Sequence, residues 1–546
     1  MINYCLIFQK YDVNIILLSR IIHNLSVEGP IKMKKGIKNE VGFFDSRTLD
    51  KPVFVISVCF IVLLVLALFL FPTETSAGML AAKNFVVNKI GFIYTWAGIG
   101  AVALVMYFSF SRYGNIKFGA PDEKPEYGEF VWAATLFTAG NAAALLYWAP
   151  IEWTEYFRAP ALGIEPMSWQ AAEWSGAYTF FHWGLIPWSL YAITALPVAY
   201  CYFVRKTPVL KVSETCREIL GRHSDGWAGK LLDILFILAM IMGTTTELGI
   251  SIPFITTAFC GLVGAEPSMT LMMVVLGVTT VVFSLAACTG LKKGVAKLGD
   301  GSYKLSLLIL IFIFVFGPTT FIIKMSTTSV GLFAQNFVRM ATWMDPILNG
   351  GFAEAWTQFY WAWWMSASMF MGLFIARLSR GRTVRKVLMG SVMYGTLGAG
   401  VFFWIMGGFT MNLQFSGKYD IIGKIEEIGA NSAIMESLRQ LPLGNVVILA
   451  IAVCGVLFLA TTYDASATSI AAVSQTHLKQ GQDPNSKLVL FWSILMVLIP
   501  AGILYINGPF ETLQAATIVG SLPVAFVMIL EIAAFVKMVR NDSTIT

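Results

Sequence analysis

Between residues 355 and 364 the chain reads Ala355-Trp356-Thr357-Gln358-Phe359-Tyr360-Trp361-Ala362-Trp363-Trp364. On a helix, Trp356, Tyr360, Trp363 and Trp364 fall within one stripe, which continues through Ala367 to Met371. A second group, Trp183, Trp188 and Tyr191, flanks Pro187, which removes a backbone hydrogen bond there. Tryptophan ordinarily belongs at a membrane interface. That explains Trp356 but not aromatics running one to two turns deeper. A quaternary ammonium group has no N–H to donate, so several aromatic faces around one cavity are what its recognition requires.

Polar groups stand at similar depth. Glu247 lies in Thr244-Thr245-Thr246-Glu247-Leu248-Gly249; a carboxylate there costs several kcal/mol unless it is paired or faces water, so it is either functional or paired with a neighbouring helix. His182 reads as a hydrogen-bonded packing residue. Two small-residue stretches, Gly140-Asn141-Ala142-Ala143-Ala144 and Thr461-Thr462-Tyr463-Asp464-Ala465-Ser466, suit close helix packing or an unwound segment that coordinates ions and substrate. The hydroxyls of Thr461 and Thr462 are hard ligands of the kind a sodium ion needs. Asp464 is either structural or tunes such a site.

These residues must be positioned by helices in a membrane. The 546 residues are 57% hydrophobic and only 13% charged, too few polar groups to cover a globular surface, which excludes a soluble enzyme and a nucleic-acid binder. The net charge of +6 reflects basic loops rather than an acidic partner. The seven cysteines have no metal-like spacing and read as small apolar residues. Taking roughly 20 apolar residues per crossing, the sequence predicts twelve spans: 53–71, 92–110, 130–150, 177–204, 231–260, 269–289, 305–323, 356–378, 387–411, 446–474, 488–506 and 513–536. The loops after the fourth, sixth and eighth spans carry the Lys and Arg, as in Arg380, Arg382, Arg385 and Lys386. Both termini are therefore expected to be cytoplasmic, in the cell inner membrane. Val330, Phe333, Phe337, Met340 and Ala341 predict an amphipathic helix over 329–343, lying on the outer surface. The apolar patch at 13–18 is too short to span, and Met33, which opens a basic stretch, is an alternative start.

The run Trp356–Trp364 followed by Arg377-Leu378-Ser379-Arg380-Gly381-Arg382-Thr383-Val384-Arg385 is very similar to the signature of the betaine/carnitine/choline transporter family. The resemblance extends through Phe181-His182-Trp183-Gly184, Phe203-Val204-Arg205-Lys206, Gly290-Leu291-Lys292-Lys293-Gly294-Val295 and Thr461-Thr462, and covers about residues 45 to 540. It implies an all-α integral membrane protein of twelve transmembrane helices, with two inverted five-helix repeats of the LeuT type after two extra helices. It also implies a homotrimer in membrane lipid. The expected organisation is 1–50 cytoplasmic (with Met1 and Met33 the alternative starts), 51–128 extra helices, 129–325 first repeat, 326–355 amphipathic helix and loop, 356–537 second repeat and 538–546 a short tail. So short a tail predicts that the protein is not an osmosensor.

Carried over residue by residue, the resemblance gives Trp183, Trp188 and Tyr191 the substrate route and Trp361, Trp363 and Trp364 the central box. Met371 matches a methionine beside the substrate carboxylate in the carnitine/γ-butyrobetaine exchangers, and Trp356 an aromatic of a more peripheral site. Phe458, Thr461, Thr462, Asn141, Ala144, Glu247 and Ser302 make up the expected ion-coupling set. The departures are informative. Ala367 stands where relatives have an aromatic, Ser302 where the sodium-independent exchangers have an arginine, and Glu155, at the end of the third span, where they have a tyrosine.

The expected function is secondary active transport, not catalysis, of a small-molecule quaternary ammonium compound of betaine, carnitine or choline type, by alternating access. Na+ is the expected coupling ion; no other cofactor and no nucleic acid is implied. The alternatives are a sodium-independent substrate/product exchanger and a carrier of another cationic amine or amino acid that uses Glu247 or Glu155 as counter-ion. A redox membrane subunit would need paired histidines or clustered cysteines, and only His182 lies inside a span.

Overall fold

The computed structural model describes residues 48–139, 143–207, 211–288, 292–476, 478, 482–506, 508 and 510–542, all within the second of two units, Met1–Asp45 and Ser46–Thr546. The regular structure there is helical apart from two isolated antiparallel bridges, Leu49 with Gln475 and Lys117 with Thr383. In chain order the helices that matter are α1 (Lys51–Leu70), α2 (Pro72–Phe85), α3 (Phe92–Phe110), α4 (Glu129–Ala139), α5 (Ala143–Arg158), α6 (Trp169–Trp183), α7 (Leu185–Ala199), α8 (Trp227–Val263), α9 (Met269–Cys288), α10 (Lys292–Phe316), α11 (Thr319–Thr342), α12 (Gln358–Leu378), α13 (Val384–Phe402), α14 (Gly408–Phe415), α15 (Ile421–Ile428), α16 (Ala430–Leu438), α17 (Gly444–Val473), α18 (Ser486–Met496), α19 (Leu498–Tyr505) and α20 (Phe510–Asn541).

Among the described residues nine helical segments are long and apolar enough to cross a membrane, and ten if the bent pair Gly301–Phe316 and Thr319–Thr342 counts as one. The protein is thus an all-helical membrane protein. The ten coincide with ten of the predicted spans. The sixth falls on α9, apolar over the shorter stretch Met269–Val282, and the third on α4 and α5, which flank residues 140–142. Asn141 lies outside the described residues.

The structure corrects several expectations. The seventh span ends at Phe316, because Gly317 and Pro318 interrupt the helix and turn it by 109° into α11. The amphipathic helix is therefore longer than 329–343, and its buried face includes Ile322, Phe333, Met340 and Ala341, while Val330 is exposed. The fourth span breaks at Gly184, three residues before Pro187. Pro187 sits in the first turn of α7, where its missing N–H costs little. The tenth span is not interrupted, since α17 runs unbroken through Thr461–Ser466. An additional helix, α2, occupies the connection between the first two spans.

Packing recurs in exchanged form between the halves. α4 packs on α13 as α12 packs on α7, and α8 packs on α20 as α17 packs on α10. This exchange of partners is what two structurally equivalent halves produce. The approach of α12 to α7 is close: Gly372 leaves no room for a Cβ beside the Thr194 and Ala195 backbone, and the Thr194 hydroxyl donates to the Ser368 carbonyl at 2.7 Å. The Arg-rich stretch after α12 is a clamp. Arg382 stacks over Trp132 at 4.2 Å and pairs with Glu129 at 2.8 Å, and Gly381, at φ +76°, sits against the Lys124 backbone. Beyond the end of α20, Arg205 pairs with Asp542 and Glu218, at 2.9 and 2.6 Å; its hydrogen bonds hold both carboxyls below the usual range.

Candidate functional site

The break at Gly184 turns α7 so that the end of α6 and the middle of α12 meet. Trp183 comes within 4.8 Å of Trp364 and 6.1 Å of Trp363, edge to face, while Trp363 and Trp364 stack at 5.4 Å with rings inclined by 10°. Tyr191 stands perpendicular to Trp364 at 6.1 Å. These four rings line one end of a cavity of about 320 Å³. From there it runs along α12 past Ala367, Phe370 and Met371 to Phe374, roughly 16 Å at 1.5 Å per residue.

The same cavity brings the ring face together with the polar residues. Glu247, Ser302, Phe458, Thr461 and Thr462 line it, with Thr244, Tyr303 and Ser466. Thr461 donates its proton to the Phe458 carbonyl at 3.0 Å, which leaves its oxygen lone pairs as acceptors. The Glu247 carboxylate accepts the Ala144 N–H at 3.1 Å, in the first turn of α5, where the helix dipole favours a negative charge. Glu247 is the one carboxylate among the described lining residues, which include no lysine, arginine or histidine.

Other expected residues sit elsewhere. Trp188 is buried against Gly395 of α13 and against Tyr191 at 5.7 Å, behind the lining. Trp361 is turned to Phe181, His182 and Gly98, away from the cavity. Trp356 belongs to a separate aromatic cluster with Trp148 and Tyr156, at 5.8 and 5.3 Å. Glu155 pairs with Arg158 at 2.5 Å, and neither it nor Asp464 lines the cavity.

Sequence reasoning passed over Glu152. It is fully buried on α5 and gathers donors from three helices: its Oε2 accepts from Trp183 Nε1 at 2.8 Å and Tyr360 OH at 2.6 Å, and its Oε1 from Tyr156 OH at 2.6 Å. Tyr156 OH lies 2.8 Å from His182 Nδ1, and His182 Nε2 lies 3.1 Å from Thr357 Oγ1. The Trp364 indole donates to the His182 backbone carbonyl at 2.9 Å, so two of the three indoles that line the cavity, Trp183 and Trp364, are held by hydrogen bonds to this layer. The available signal was Tyr156 at i+4 and a second carboxylate, Glu155, within one turn.

The model of the betaine/carnitine/choline family transporters matches residues 52–544. The chain is 33% identical to an uncharacterised transporter, YeaV, of Escherichia coli strain K12, over 81% of this chain and 92% of that one. It is 31% identical to a carnitine transporter of Acinetobacter baumannii, over 81% of this chain and 80% of that one. Among solved structures a Na+-coupled sialic acid symporter in a substrate-bound, outward-open state covers 81% of this chain and 86% of its own, at 14% identity and a TM-score of 0.41.

Proposed function

From its membership of the betaine/carnitine/choline transporter family, to which the chain belongs, we propose that this protein is a secondary transporter of a quaternary ammonium compound, carried between the two halves by alternating access. The observation that carries this reading is the cavity bounded by Trp183, Tyr191, Trp363 and Trp364 without a basic residue among its described lining. Desolvated rings there favour a diffuse cation that cannot donate hydrogen bonds. The relative in Acinetobacter baumannii is named for carnitine, which belongs to this chemical class. In this reading both termini are cytoplasmic, the protein sits in the inner membrane, and it works as a homotrimer. Uptake of labelled carnitine, glycine betaine and choline into proteoliposomes tests it: one of the three is accumulated or exchanged, and uptake of none would end the reading.

The coupling ion in this proposal is sodium, supported by the Thr461 and Thr462 hydroxyls and by Ser302 on the wall of the same cavity. Replacing external sodium by potassium is expected to lower the initial rate of uptake several-fold, on the scale of a lost coupling free energy of about 1–3 kcal/mol. One observation favours a second reading: Glu247 places a fixed carboxylate in the cavity, held by the Ala144 N–H. If uptake is the same in potassium, transport is sodium-independent, and Glu247→Gln becomes the variant that should abolish it.

A further inference from the structure

The residue that most constrains the aromatic site is not in its wall. Glu152 lies one layer behind it, and every hydrogen bond it accepts comes from a neutral donor: one indole and two phenols. Trp donates only, and both Trp183 and Tyr360 converge on the same oxygen, Oε2, so one carboxyl group sets the direction of both ring edges. Among the described residues no lysine or arginine forms an ion pair with Glu152, whereas the neighbouring Glu155 pairs with Arg158. The groups Glu152 holds are rings. Those rings are oriented by it: Trp183 packs edge to face on Trp364 at 4.8 Å, and Tyr360 lies nearly parallel to Trp364 at 6.1 Å.

We propose that Glu152 is the positioning residue of the aromatic site: it fixes Trp183 and Tyr360 by their N–H and O–H, and through them the packing of the rings around Trp364. That the positioned rings receive a quaternary ammonium group rests on the reading above; the positioning itself does not.

The test uses the full chain in lipid nanodiscs with tryptophan labelled by 15N at the indole nitrogen, the Trp183 signal being assigned through Trp183→Phe. In Glu152→Gln the Trp183 N–H resonance moves as its carboxyl acceptor is replaced, and Glu152→Asp recovers part of the shift. In the same samples affinity for carnitine, glycine betaine or choline, whichever the wild type binds, falls about tenfold as the rings lose their fixed orientation, and Glu152→Asp recovers part of it. An unchanged Trp183 resonance in Glu152→Gln, or a moved resonance with wild-type affinity, overturns the positioning role. A wild type that binds none of the three cations refutes the transport reading, while the resonance still decides whether Glu152 positions Trp183. Should Glu152→Gln fail to fold, Tyr360→Phe leaves Trp183 the only donor on Oε2 and moves its resonance, and no movement there overturns the positioning role.

Discussion

Trp363→Leu and Trp364→Leu are each expected to weaken substrate affinity at least tenfold while leaving the protein folded in the membrane. Their rings stack on one another at 5.4 Å, and both line the cavity, so each removes one face of the cation site and unsupports the other. Cation–π contacts with desolvated rings contribute on the order of 1–2 kcal/mol each, and 1.4 kcal/mol is a factor of ten. Leucine keeps the site apolar, and Trp364 gives up only one hydrogen bond, to the His182 carbonyl. Saturation uptake kinetics on both variants, with expression checked by purification yield, measure this. Wild-type affinity in both would show that the cation is held elsewhere.

Ala367→Tyr or Ala367→Trp is expected to exclude the larger substrates and to keep or improve transport of the smaller betaines. Ala367 lines the cavity between Trp363 and Met371, so no neighbouring side chain covers it from that side. An aromatic ring placed there occupies volume that the natural substrate uses and supplies a further face to a small head group. Competition by carnitine and by glycine betaine against the same labelled substrate separates the outcomes. Equal loss for both, with a low yield of folded protein, would show instead that the ring clashes with packed neighbours.

The helical period places Trp356, Tyr360, Trp363, Trp364, Ala367 and Met371 on one stripe; the last four line the cavity, while Trp356 and Tyr360 do not, so the stripe made the wall legible but not where it ends. Trp361 is off that stripe; it was assigned to the box through the resemblance, and it packs on Phe181 and His182. Spans were legible from apolar length, whereas the break in the fourth was not. Pro187 removes a backbone hydrogen bond, yet proline in a first turn starts a helix, and the conformational break lies at Gly184. The hydroxyl-rich Thr461–Ser466 stretch stays helical, and Thr461 returns its proton to the Leu457 carbonyl of the preceding turn instead of competing for the helix's own bonds. Glu152 was illegible for a different reason: its donors come from α5, α12 and the end of α6, three segments whose meeting no local pattern encodes.

The most direct test of the central claim is the affinity of the purified protein for one ammonium head group at successive degrees of N-methylation, read by quenching of tryptophan fluorescence with glycine, sarcosine, dimethylglycine and glycine betaine, and with ethanolamine, its dimethyl derivative and choline. A site made of ring faces predicts affinity rising with each methyl group and greatest for the trimethylated member of whichever series binds. Affinity greatest for the unmethylated amine would mean that a hydrogen-bonding carboxylate, and not the Trp183, Trp363 and Trp364 rings, holds the substrate, and would contradict the account.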